Sequence, residues 1–109
     1  MARIILIDSD EIHAKKVASE IERRNHQLTV YANSRDLFRH LANEQIQFTV
    51  VVLNFYNRPE DWELLDKLRK LSLTRVPRPG ILCVSRSKWG TDVRLRVERK
   101  GARLVHERP

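Results

Sequence analysis

A chain of 109 residues is long enough for one packed core and too short for two, and its 41% hydrophobic and 32% charged residues exclude a disordered or fibrous class. No apolar run approaches the roughly 20 residues that cross a bilayer, and the stretch after Met1 lacks a basic flank and is broken at Asp8; this reads as a cytoplasmic single domain over residues 1–109 without a signal peptide. The net charge of +7 is lopsided, −3 over residues 1–66 and +10 over residues 67–109, which points the second half toward an acidic partner.

Ile4-Ile5-Leu6-Ile7 is a continuous apolar run ending at Asp8, the pattern of a strand buried on both faces. From Asp10, a candidate N-cap, apolar residues recur at Ile12, Ala14, Val17, Ala18 and Ile21 with helical spacing, and Asn25 suits a left-handed stop. Leu28 to Tyr31 predicts a second strand, and Ser34 is placed to cap a helix carrying Leu37, Phe38 and Leu41 on one stripe. Phe48 to Leu53 is the strongest strand signal. A polar loop follows from Asn54 to Glu60, then a helix from Asp61 to Leu71 with Leu64, Leu65, Leu68 and Leu71 at helical spacing.

Thr74 to Gly80, with Pro77 and Pro79, breaks that helix ahead of a fourth strand, Ile81 to Val84. The single cysteine, Cys83, lies inside this run and reads as a small buried hydrophobe rather than a disulfide or metal partner. A fourth helix spans about Thr91 to Lys100, Gly101 ends it, and Leu104-Val105 suits a short fifth strand before Pro109. A fifth helix is missing from this chain. Regular alternation of strand and helix implies a parallel sheet with right-handed crossovers, and in such sheets sites form beyond the carboxyl ends of the strands. Those ends are Asp8-Ser9, Asn54, Ser85 and Arg108, four polar clusters on one edge.

These positions resemble the receiver domain of bacterial two-component response regulators, over nearly the whole chain from Arg3 to Pro109. The resemblance implies a flavodoxin-like, doubly wound five-stranded sheet of order 2-1-3-4-5. In that family the first strand ends in two acidic residues that hold magnesium, matched here by Asp8 and Ser9, so only the first acid is kept. The third strand ends in the aspartate that accepts phosphate, and in Val-Val-Val-Leu-Asn the matching residue is Asn54. The family's hydroxyl at the end of the fourth strand matches Ser85, and its closing lysine-proline pair matches Arg108-Pro109. The loop glycine before the third helix is replaced around Trp62, and the aromatic switch residue of the fifth strand aligns with Val105.

Phosphoryl transfer to a carboxylate needs an ionised oxygen as nucleophile and a divalent cation, and an amide at Asn54 supplies neither function. The expectation is a degenerate pocket of Asp8, Ser9, Asp10, Asn54, Ser85 and Arg108 forming a permanent polar plug. In it Arg108 pairs with Asp8 or Asp10, and Asn54 and Ser85 exchange hydrogen bonds. No catalytic residue and no cofactor are assigned; a weak magnesium site built from Asp8 and Asp10 is the weighed alternative to a metal-free pocket. His13, His26, His40 and His106 have no metal-ligand spacing and are assigned surface or satisfied polar roles.

Arg86, Trp89, Arg94, Arg96, Arg99 and Arg103 around the fourth helix form the candidate partner surface, since arginine and tryptophan are favoured at interaction hot spots. Without a helix-turn-helix context, nucleic acid is the less favoured ligand for it. A sheet with two apolar faces and no fifth helix should leave strand surface exposed. That surface is met by a helix and output domain beyond Pro109 or by a neighbouring chain, with a homodimer preferred. The functional expectation is an atypical receiver, the N-terminal regulatory module of a signalling or transcription regulator, acting through dimer or partner contacts. Two alternatives stay open: a phosphorelay receiver with another acceptor, and a nucleic-acid-binding module using the basic half.

Overall fold

The computed structural model describes residues 2–43 and 47–107. Nine elements alternate: β1 (Arg3–Ile7), α1 (Glu11–Arg23), β2 (Gln27–Tyr31), α2 (Ser34–Asn43), β3 (Val50–Asn54), α3 (Pro59–Leu73), β4 (Gly80–Ser85), α4 (Thr91–Arg99) and β5 (Arg103–His106). All strand pairs are parallel and the order is β2-β1-β3-β4-β5, the expected doubly wound sheet with four helices among the described residues.

The two sheet faces bury different residues of the same strands, as period-two alternation requires. On one side Ile5, Ile7, Val51, Leu53, Ile81 and Cys83 meet Leu37, Leu64, Leu65, Leu68 and Val97 from α2, α3 and α4, with Phe55 fully buried in the same cluster. On the other, Ile4, Leu6 and Val52 meet Ala14, with Val17 and Ile21 of α1 packed alongside. Cys83 is fully buried, and burial pushes its thiol pKa up to about 12, so it behaves as the small hydrophobe expected. Among the described residues only α1 covers the second face. Leu82 and Val84 are left half-buried there, and Val105 of the edge strand is 41% exposed.

Several boundaries differ from the sequence reading, each for a local reason. Asn33, not Ser34, caps α2: its side-chain oxygen accepts from the Asp36 amide at 2.9 Å, and Ser34 is the first helical residue. β3 starts at Val50 rather than Phe48, whose ring packs at the edge of the core while Arg75 lies over it at 5.0 Å. α3 starts at Pro59, since proline suits a first helical turn. The Asp61 carboxylate then accepts from the amides of Tyr56 and Arg58, folding the preceding loop onto the helix start. Asn25 and Gly101 both hold the left-handed backbone expected of helix stops, at φ 69° and 77°.

Candidate functional site

Parallel register sets Ile7 beside Leu53 and Asn54 beside Val84, so the residues that follow β1, β3 and β4 leave the sheet side by side. Asp8 and Asn54 are each 4% exposed there. The Asn54 amide nitrogen donates to Asp8 Oδ1 at 2.9 Å and to Tyr56 Oη at 2.8 Å. This fixes the orientation of the amide: the flipped form would set its oxygen against a carboxylate oxygen. Asn54 Oδ1, the atom that matches an acceptor oxygen in the resembled family, is buried without a hydrogen-bond partner among the described residues.

Asp8 is saturated. Its Oδ1 accepts from the Asp10 amide at 2.9 Å as well as from Asn54, and its Oδ2 from His13 Nδ1. His13 sits in the first turn of α1, where the chain turns back over the end of β1, and Asp10 caps that turn by accepting from the His13 amide at 3.1 Å. The other ring nitrogen, Nε2, lies 2.6 Å from Glu107 Oε2, just past the end of β5. The ring is only 2% exposed and is sandwiched between two carboxylates. Burial by itself depresses its pKa, but the hydrogen bonds to Asp8 and Glu107 outweigh that effect and raise it, favouring the imidazolium. Asp10 is held below the usual carboxylate range by the His13 amide and, through space, by Arg86, whose guanidinium lies 3.3 Å away.

Of the expected plug, the structure brings together Asp8, Asp10 and Asn54 and places Ser85 and Ser9 otherwise. Ser85 does not exchange hydrogen bonds with Asn54. Its buried hydroxyl accepts from Trp89 Nε1 at 2.8 Å and from the Ser87 amide at 3.2 Å, because the loop after β4 turns Trp89 inward against Phe55. Ser9 is exposed and takes no part. Arg108 lies outside the described residues; among the described residues the cations that meet Asp8 and Asp10 are His13 and Arg86. Val105, matched to the aromatic switch, sits on β5 with its side chain partly in solvent. Trp62 is buried in edge-to-face contact with Phe55 and donates to Asn57.

The candidate partner surface is only partly a surface. Trp89 is half-buried against the core, while Arg86, Arg94, Arg96, Arg99 and Arg103 are all exposed, Arg86 beside Asp10 and Arg96 over the Trp62 ring at 4.0 Å.

The magnesium that the resemblance implies does not fit these residues. An ionised carboxylate offers about four lone-pair directions, and three on Asp8 already accept hydrogen bonds in a side chain with no solvent exposure. Asp10 is likewise engaged as a helix cap, and the third-strand position offers an amide.

No family model matches the chain, and no curated protein matches it. Solved structures do. A response regulator from Thermotoga maritima superposes with a TM-score of 0.79 at 17% identity, covering 98% of this chain and 85% of that one. The receiver domain of the Francisella response regulator 1452 gives 0.78 at 15% identity, covering 98% and 84%. A chain of the complex between the P1 domain of CheA3 and CheY6 from R. sphaeroides gives 0.73 at 20% identity, covering 96% and 81%. The chain therefore has the fold of a response regulator receiver domain.

Proposed function

We propose that this chain is an atypical receiver module that works without phosphorylation, through protein contacts or self-association, within a signalling or transcription regulator. The observation that carries this reading is Asn54: at the position where a receiver presents its nucleophilic carboxylate, a neutral amide donates both to Asp8 and to Tyr56. An amide oxygen is a poor nucleophile toward phosphorus, and the neighbouring carboxylate already has its counter-charge in His13. What the fold retains is its surface, with exposed arginines on α4 and apolar side chains on the less covered sheet face. The P1 domain in the R. sphaeroides complex supports a protein as the ligand class.

The test is treatment with acetyl phosphate and magnesium, followed by intact mass and by light scattering on the same sample. The expected result is an unchanged chain mass and an unchanged assembly state. A stoichiometric phosphoryl adduct overturns the reading, and an adduct that also changes the assembly state replaces it with a conventional switch.

A further inference from the structure

Two carboxylates converge on one ring in the heart of the pocket, and their geometry constrains the ring's charge. A neutral imidazole has one N–H to donate, yet both His13 nitrogens lie within hydrogen-bond reach of carboxylate oxygens, from Asp8 on one side and Glu107 on the other. Two acceptors facing two ring nitrogens call for two N–H groups, which is the imidazolium. Buried anions persist only when paired. The raised pKa of the ring agrees with that arrangement.

The ring is also mechanically fixed. His13 lies in a helical turn whose cap, Asp10, is itself held by Arg86 from the loop after β4, and Glu107 reaches it from a chain segment whose amide donates to the Ser85 carbonyl at 2.7 Å. Displacing the ring therefore means breaking its hydrogen bonds to both Asp8 and Glu107. An entering metal would have to strip a solvent-inaccessible carboxylate of a charge-assisted hydrogen bond.

We propose that the His13 imidazolium is the resident cation of this pocket, held by Asp8 and Glu107 where the resembled family holds magnesium. The native chain accordingly excludes divalent cations, and removing one ring creates a site for them. Taking the ring away leaves Asp8 Oδ2 and Glu107 Oε2 facing the same space with no counter-charge among the described residues, and Asp10 two residues along the chain. A hard cation that binds through one or two carboxylates and completes its shell with water suits that vacated space. The inference goes beyond the proposed mode of signalling, and metal uptake is read separately from phosphoryl uptake, so each can fail alone.

The experiment is Mn2+ titration watched by 15N-resolved NMR on the native chain, His13→Ala and His13→Asn. In the native chain at millimolar Mn2+, the amides of Asp8, Asp10 and Asn54 keep their intensity, and both His13 ring nitrogens show protonated-type 15N shifts at neutral pH. In either folded variant the same amides broaden selectively, and Glu107→Gln added to it weakens the broadening. Selective broadening in the native chain overturns the proposal, as does a neutral His13 ring. A folded variant that shows no selective broadening also overturns it. If both variants fail to fold, the native measurements still decide whether the imidazolium closes this pocket to divalent cations.

Discussion

Replacing Asn54 by aspartate restores the residue type that phosphoryl acceptance needs, yet here it should be destabilising. The amide nitrogen that donates to Asp8 Oδ1 lies 2.9 Å from it, so Asn54→Asp puts a carboxylate oxygen at that spacing from another, both almost fully buried. Two unit charges at that distance repel by about 6 kcal/mol at an effective dielectric constant of about 20. A cheaper escape exists. Keeping one carboxyl protonated at pH 7, roughly three units above its ordinary pKa, costs about 4 kcal/mol at about 1.36 kcal/mol per unit. Proton uptake therefore wins, and the expected destabilisation at pH 7 is about 4 kcal/mol. The shared carboxyl has a raised folded pKa, so the native state binds the extra proton and the penalty shrinks as pH falls. At pH 5 about 1.5 kcal/mol should remain. Urea unfolding of both proteins at the two pH values measures this directly. Equal stability at pH 7, or a gap that does not narrow on acidification, would refute the arrangement of Asp8 and Asn54.

The native chain should lose stability as pH rises from the usual histidine value of 6.5 through the raised folded value, because the folded state there binds a proton the unfolded state has released. His13→Asn should lack this decline in paired urea titrations. Leu65→Ala, at a fully buried position where α3 meets the sheet, should cost about 2–5 kcal/mol in the same assay. Trp89→Phe keeps an aromatic ring against Phe55 but removes the donor to Ser85, and should cost about 1 kcal/mol while sharpening the hydroxyl's exchange with water.

The strands and their order were legible because buried parallel strands read as unbroken apolar runs, and the runs ending at Asp8, Asn54 and Ser85 mark one sheet edge. Asn54 announced itself by standing at the end of the most apolar run. His13 did not. Metal-ligand spacing says nothing of it, whereas its role follows from helix geometry: in the first turn after a capping Asp10, it is carried back over the strand that ends in Asp8. Glu107 carried a usable signal, as one of three acidic residues among 43 in a strongly basic half, placed at the end of β5. Ser85 was matched correctly to its strand end but not to its partner, because Trp89 comes from a loop whose path no periodicity encodes. Residue type and position around α4 mark the partner surface, but they do not show that the fold turns Trp89 toward the core or pairs Arg86 with Asp10.

The most direct measurement of the central claim is an amide spectrum of the native chain before and after addition of magnesium with beryllofluoride, an analogue of the acyl phosphate that forms only on a suitable carboxylate. A pocket occupied by its own amide and imidazolium predicts unchanged positions for Asp8, Asn54, Tyr56 and Ser85. Saturable shifts at those residues would contradict it.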